Sequence, residues 1–453
     1  MLRKIYHKSP EPVKKVIRKV HSKIPFPYVY GLKFAKYYKW LMKTQWLPPE
    51  ELEELQNKRL QIIIKHAYDN VPYYRRIFDE RGLKPEDIQT KEDLKLLPVL
   101  TKDDVRKNFK ELCAKDFQKY NPVQSSTAGS TGEPLLFYRD AQESAIEQAF
   151  VWRHWNWAGV TPECKIFILR GSRPRKGLME HKGKEIVLSA YDLSNETMSM
   201  YVEEMRKYKK WVLRAYPMCA YLLAQFIAHN NIEGVKSVSV ITSSETLFEF
   251  QRTAIEKQFG CRVFDWYGLG EHVCAIGQCE CGSYHINSEY GIVELLPMDG
   301  LKENQREIVA TGLNNFSMPL IRYRTEDIAE ISNIKSCPCG RGLPIVKSIT
   351  GRSRDVIITE DGRFLTTGLI VEDIDKIQSI KEWQVIQETT THYVVNIVGY
   401  SSFNNQDKER LYNLVRSRVG VGQIDINILD HIERTSMGKF RAVISKVSVE
   451  EAM

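Results

Sequence analysis

The sequence predicts an α/β protein, with a large N-terminal α/β domain of several sheets and a small, mobile C-terminal α+β domain. Three observations carry this expectation. At 453 residues the chain exceeds what one hydrophobic core supports. Short apolar runs at Lys165–Leu169, Trp211–Arg214, Val238–Ile241 and Arg262–Phe264 alternate with helical stretches, the pattern of helices layered on a sheet. The polar run Gly351-Arg352-Ser353-Arg354-Asp355 follows a Pro/Gly/Cys-rich patch, and the residues beyond it suffice for a small domain. The expected divisions are therefore 1–50, a basic and membrane-surface-compatible segment; 51–350, the large domain with inserted cysteine knuckles; and 351–453, a small lid.

In chain order, residues 1–45 hold twelve Lys/Arg against the single acid Glu11, so the net charge of +8 belongs to this segment and the rest of the chain carries −3. Val13, Val16, Ile17, Val20 and Ile24 recur at helical spacing among Lys14, Lys15, Arg18 and Lys19, and an aromatic run from Phe26 to Trp40 follows. Such a helix can lie on an anionic membrane face, or equally cap the large domain. No nucleic-acid motif accompanies the charge, and a −3 body excludes a basic nucleic-acid surface. No apolar run reaches the roughly 20 residues needed to span a bilayer. Met1-Leu2-Arg3-Lys4-Ile5-Tyr6 leads into neither an apolar core nor a cleavage site, so a cytoplasmic location is expected, with peripheral membrane contact through residues 1–45 as an option.

Glu51 to Asp69 has helical periodicity that Val71-Pro72 interrupts. Pro85-Glu86-Asp87 and Thr101-Lys102-Asp103-Asp104 carry acids where a helix begins. Then comes Gln124-Ser125-Ser126-Thr127-Ala128-Gly129-Ser130-Thr131-Gly132-Glu133-Pro134, a loop of hydroxyls and glycines running into Leu135-Leu136-Phe137-Tyr138. Hydroxyls and unshielded backbone N–H groups suit a phosphate chain, although no Gly-Lys-Ser/Thr closes the loop as a Walker motif would. Ala141–Trp157 reads as a long helix. In the small domain Tyr393–Val398 and Ile424–Ile428 read as strands flanking a helix at Gln406–Val419.

Further constellations carry chemistry. Asp265-Trp266-Tyr267-Gly268-Leu269-Gly270-Glu271-His272 places a carboxylate after a strand, at the edge where α/β folds bind ligands. Arg322-Tyr323-Arg324-Thr325-Glu326-Asp327 sets acids beside arginines, a ribose-binding group or a surface ion pair. Ser436-Met437-Gly438-Lys439 presents a lysine at a loop tip, able to meet developing negative charge. Nine cysteines without a secretion signal are thiols or metal ligands sooner than disulfides. Cys279-Glu280-Cys281-Gly282 and Cys337-Pro338-Cys339-Gly340 can give four thiolates to a structural zinc, with His272, Cys274 or His285 able to replace one of them.

By kind, order and spacing these motifs resemble those of the adenylate-forming enzymes. Thr127–Pro134 resembles their phosphate loop, Tyr267-Gly268-Leu269-Gly270-Glu271 their Tyr-Gly-x-x-Glu segment, and Tyr323–Asp327 their Tyr-Arg-Thr-Gly-Asp. Gly351–Asp355 resembles their hinge, Gly438-Lys439 their C-terminal lysine loop, and Ser243-Ser244-Glu245 stands where they place an adenine-binding loop. The run Ala67–Arg75 and the cysteine knuckles are similar to those of the phenylacetate–CoA ligase-like branch, in particular its CapK-like subgroup associated with capsular polysaccharide clusters. Three departures stand out: Ala128 for a serine, Glu326 for a glycine, and Arg354 for the hinge aspartate.

The resemblance implies ATP-dependent conversion of a carboxylic acid to an acyl-adenylate with pyrophosphate release, then acyl transfer, with coenzyme A as the implied acceptor. Thr127, Gly129, Ser130, Thr131 and Gly132 would hold phosphates. Ser243, Ser244, Glu245, Tyr267 and Gly268 would hold adenine, Asp327 the ribose, and Glu271 the Mg²⁺, with Arg352 at the hinge. Lys439 would support the chemistry. The carboxylate pocket is placed near Tyr216 and Pro217. Alternatives are transfer to an amine or hydroxyl of a sugar precursor, and a nucleotide-binding scaffold without catalysis.

Overall fold

The structure, a computed structural model, describes Val13 and residues 25–126, 135–172, 174–190, 193–298, 301–352, 356–360, 364–366, 374, 377–433 and 440–447. Thr127–Pro134, Ser353–Asp355 and Arg434–Lys439 lie outside them, and with them the expected phosphate loop, part of the hinge, and Lys439. Of residues 1–24 only Val13 is described, so the N-terminal amphipathic helix lies outside too.

Helices open the described chain: α1 (Leu32–Thr44), α2 (Pro49–Asn70), α3 (Pro72–Glu80) and α4 (Lys102–Lys107). Proline sits in the first turn of α2 and α3, where its missing N–H costs nothing. Thr101 and Asp104 form a reciprocal capping box at α4: the Thr101 hydroxyl accepts from the Asp104 N–H at 3.1 Å, and the Asp104 carboxylate accepts from the Thr101 N–H at 2.9 Å. The hairpin β1 (Val123–Ser126) and β2 (Leu136–Arg139) follows, then α5 (Glu143–Trp157). Strands and helices then alternate: β3 (Lys165–Leu169), β4 (Met179–Lys182), β5 (Glu185–Leu188), α6 (Asn195–Arg206), β6 (Trp211–Ala215), α7 (Pro217–His229), β7 (Val240–Ser243), α8 (Glu249–Phe259) and β8 (Val263–Gly268). A run of strands completes the large unit: β9 (Ala275–Gln278), β10 (Tyr284–Ile286), β11 (Gly291–Leu296), β12 (Gln305–Gly312), β13 (Tyr323–Ile331) and β14 (Ile345–Arg352).

All but the hairpin join one sheet of twelve described strands, in the order β11-β12-β13-β14-β10-β9-β8-β7-β6-β3-β5-β4. Five of them, β8-β7-β6-β3-β5, are parallel; helices lie in the crossovers from β5 to β6, β6 to β7 and β7 to β8, and β4 lies between β3 and β5. The rest are antiparallel. The parallel strands are almost wholly buried, as strands covered on both faces must be. The smaller unit holds β15 (Val356–Ile358), β16 (Phe364–Thr366), β17 (Ile380–Thr389), β18 (His392–Gly399), α9 (Asn405–Val419), β19 (Gln423–Ile428) and β20 (Val443–Ser445). Its four-stranded sheet, ordered β19-β18-β17-β20, and α9 form a separate α+β core around Trp383, Tyr393, Val395 and Leu411. The expected fold class is the one seen. No helix among the described residues is long and apolar enough to cross a membrane.

The aromatic run expected to sit on a membrane or cap the domain is partly built in. Phe26 packs edge to face on Phe34 and Tyr38, which stack on each other, and Phe26 meets Trp152 of α5 at 4.8 Å between ring centroids. Tyr28, Tyr30 and Leu32 stay exposed at its outer edge.

Helix α5 is buried on nearly every side and still carries an arginine at 0% exposure, Arg153. Arg153 pairs with Glu289 at 2.7 and 3.1 Å, and the Thr44 hydroxyl donates to the same carboxylate. The pair ties α1, α5 and the turn before β11 into one unit. Burial alone would raise the pKa of Glu289, but Arg153 outweighs it and holds the carboxylate ionised. Glu289→Ala should therefore cost about 3–5 kcal/mol, since it strands a buried guanidinium. Denaturant unfolding checks this, and Arg153→Met combined with Glu289→Leu should recover most of the loss.

Candidate functional site

The C-terminal ends of β3, β6, β7 and β8 point to one edge of the sheet, where an open α/β fold binds ligands. The segment 243–245 continues from β7, and 267–271 ends β8. Beyond β9 and β10 the sheet brings β13 and β14 alongside, so Asp327 lies across from Arg352 in the register. Motifs far apart in sequence thus meet. The Tyr267 hydroxyl donates to Asp327 Oδ2 at 2.7 Å, and the Tyr323 hydroxyl donates to Glu271 Oε1 at 2.6 Å. Each motif holds the acid of the other. Burial, reinforced by the neighbouring carboxylate, pushes both phenols well above their ordinary pKa, so both remain donors. Glu271 and Asp327 are each 4% exposed. Among the described residues the second oxygen of Glu271 carries no hydrogen bond, which leaves it able to accept a hard cation such as Mg²⁺.

Glu326, standing where the resembled motif has glycine, keeps the conformation glycine would supply. Its φ is +66°, inside an irregular stretch of the β12–β13 pairing. Its carboxylate meets Lys102 at 2.7 Å, and Asp327 N–H donates to Thr325 Oγ1 at 3.1 Å. The turn that presents Asp327 survives the substitution at the cost of local strain.

Ser244 also has positive φ, +73°. Arg170, just past β3, donates to Ser243 Oγ at 3.0 Å and Ser244 Oγ at 3.2 Å, and lies over the Tyr216 ring. Glu245 accepts the Phe440 N–H at 2.7 Å and the Met218 N–H at 3.4 Å. One carboxylate therefore joins the 243–245 loop, the start of α7 after Tyr216 and Pro217, and the residue following Lys439. Gly268, the last residue of β8, has Trp266 Nε1 only 3.0 Å from where a Cβ would stand.

The cysteine knuckles meet as well, with His285 rather than Cys281 completing the group of close donor atoms. Cys279, Cys337, Cys339 and His285 place their donor atoms within 4.8 Å of one another. Cys279 Sγ and Cys337 Sγ are 3.6 Å apart, and Cys339 Sγ is 3.4 Å from His285 Nε2. A tetrahedral zinc with Zn–S near 2.3 Å separates its sulfurs by about 3.8 Å, so the group has the right span. Cys281, expected as the fourth thiolate, is exposed and outside this group. Cys281 lies beside Cys337 and Cys339 at the rim of the cluster, and β10 brings His285 into it. His285 Nδ1 faces the Leu343 carbonyl at 3.2 Å, which orients Nε2 toward the sulfurs. The other two alternative ligands lie elsewhere: Cys274 is buried near Tyr267 and Asp327, and His272 pairs with Arg139.

Sequence reasoning missed Tyr323 as the partner of Glu271, Arg170 as the support of Ser243–Ser244, and the tie from Glu245 to Phe440. It also missed a charged group around Arg139, Glu143 and His272. Two acids one turn apart, Glu143 and Glu147, on a largely buried helix were the available signal.

Residues 357–446 match the family model described as the CapK C-terminal domain. The chain is 26% identical to Protein CapK of Staphylococcus aureus over 460 aligned residues, covering 99% of this chain and 100% of that one. It is 28% identical over 323 residues to phenylacetate-coenzyme A ligase of Escherichia coli (strain K12), covering 68% and 73%. The fold matches that of 2-hydroxyisobutyryl-CoA ligase in the postadenylation state in complex with 2-HIB-AMP, with a TM-score of 0.71 at 17% identity, covering 89% of this chain and 92% of that one.

Proposed function

We propose that this chain, a member of the phenylacetate–CoA ligase-like branch of the adenylate-forming enzymes and a relative of CapK, activates a carboxylic acid with ATP and passes the acyl group to coenzyme A. The carrying observation is the mutual clasp of Tyr267 on Asp327 and Tyr323 on Glu271, which unites two separate motifs at the ligand-binding edge of the sheet.

In this reading Asp327 holds the ribose hydroxyls, and Ser243–Glu245 with Tyr267 and Gly268 frame the adenine. Thr127, Gly129, Ser130, Thr131 and Gly132, outside the described residues, cradle the phosphates, and Arg352 stands at the hinge. A magnesium ion held by the open oxygen of Glu271 would offset phosphate charge. The substrate carboxylate, near Tyr216 and Pro217, attacks the α-phosphorus, and the bond to pyrophosphate breaks. Lys439 stabilises the charge that builds on the phosphate oxygens. The thiol sulfur of coenzyme A then attacks the acyl carbon and AMP leaves. The small domain delivers Lys439 for the first step and turns about 352–354 for the second. A structural zinc on Cys279, His285, Cys337 and Cys339 would fasten the β9–β10 turn to the segment before β14, away from the reacting atoms.

The test is pyrophosphate release against a broad panel of carboxylic acids, with and without coenzyme A. Release with at least one acid, and a CoA thioester product when the thiol is present, is expected. An acyl-adenylate that coenzyme A never discharges would shift the acceptor to an amine or hydroxyl, such as one on a sugar precursor.

A further inference from the structure

A row of charged side chains runs between the two halves of the nucleotide site. At one end His272, next to Glu271, meets Arg139 at 2.8 Å from Nε2, and Arg139 also donates to Ser125 Oγ at 3.0 and 2.8 Å. His272 Nδ1 stands 3.6 Å from Glu143 Oε1, longer than a hydrogen bond. One turn along α5, Glu147 accepts the Tyr290 hydroxyl. At the other end Arg214 lies over the Trp155 ring beside Arg170, which reaches Ser243 and Ser244. Arg214 is pushed down to about 9, by burial first and by Arg170 next, with Glu185 and Glu147 opposing.

One member of this row lacks a hydrogen bond at ordinary distance and has only the 3.6 Å ion-pair contact with His272. Glu143 is 2% exposed, and neither of its carboxylate oxygens has a hydrogen-bond partner among the described residues. Burial is the main reason its carboxyl titrates above the ordinary range. A buried carboxylate held only by one long ion pair is expensive, and a ligand that supplies a hydrogen relieves that cost.

Resting on the adenylation reading above, we infer that the acid this site activates is polar, carrying a hydroxyl or ammonium donor for Glu143 beside its carboxylate, and is not a plain aryl or alkyl acid. Glu143 is the specificity-determining residue. Arg139 and His272 hold its surroundings, and Arg214 supplies positive charge at the far wall.

The test is carboxylate-dependent ATP–pyrophosphate exchange by the full chain on two matched trios: propionate, lactate and alanine; phenylacetate, mandelate and phenylglycine. A donor-bearing acid should exceed its donor-free match by about 100-fold or more. Comparing the hydroxyl and ammonium arms tells which donor is used. Glu143→Gln keeps the shape and removes the charge, and should shrink that advantage at least about tenfold. Glu147→Gln, whose carboxylate already has Tyr290, should shrink it less. A donor-free acid exchanging as fast as its match overturns the inference and leaves adenylation standing. So does exchange with none of the six when the broad panel shows pyrophosphate release. No release anywhere in that panel removes the underlying reading and this one with it.

Discussion

Replacing Lys439 with alanine should cut carboxylate-dependent pyrophosphate exchange by about 10²–10³-fold, the loss that follows when one donor aimed at developing charge is removed. Lys439 itself lies outside the described residues, but its neighbour does not. The Phe440 N–H donates to Glu245, and Glu245 sits on the proposed adenine loop. The chain immediately after the lysine is thereby fastened to the 243–245 loop, as the proposed role of Lys439 requires. Exchange is the decisive readout because it isolates the first step from thiol transfer. Retention of most of that activity would remove the role assigned to Lys439.

Freshly purified protein should contain about one zinc per chain by elemental analysis, as a closed four-donor structural site requires. Cys337→Ser or His285→Ala should lose it, whereas Cys281→Ser should keep it. The last variant separates the two ligand sets: a four-thiolate site depends on Cys281, and the set seen in the structure does not. Stripping the metal should also lower the thermal midpoint. The donors sit in a small apolar cluster with Leu52, Trp157 and Leu343, and without a metal three thiol groups face one another there. Absence of stoichiometric zinc from wild-type protein would sink the assignment.

Much of this was legible in the sequence, for a physical reason. The parallel strands are continuous apolar runs bounded by turn residues, so Lys165–Leu169 was located to the residue and β6, β7 and β8 to within a few. The helix expected at Gln406–Val419 differs by one residue, because Asn404 caps it with a side-chain oxygen that accepts two backbone N–H groups. The antiparallel half was harder to read. β9, β10 and β14 are short or irregular, and their register depends on partners far away in the chain. That His285 and not Cys281 falls within the close donor group is likewise invisible in spacing, since it depends on where β10 places the ring. Glu143 escaped notice because a carboxylate at a helix start ordinarily serves only the helix dipole.

The clasps of Tyr267 on Asp327 and Tyr323 on Glu271 have a thermodynamic corollary. Both acids already have a phenolic partner before any ligand arrives. A ribose hydroxyl or a cation therefore enters by exchange, displacing or sharing a bond whose net worth is about 1.5–3 kcal/mol. The acids are spared the cost of lying buried and bare, and the site keeps its shape while empty. In return, only the difference between two similar bonds appears as affinity. Under the proposed function, such a site would recognise a nucleotide chiefly by whether its groups fall where the phenols already hold the carboxylates, and would release AMP without collapsing.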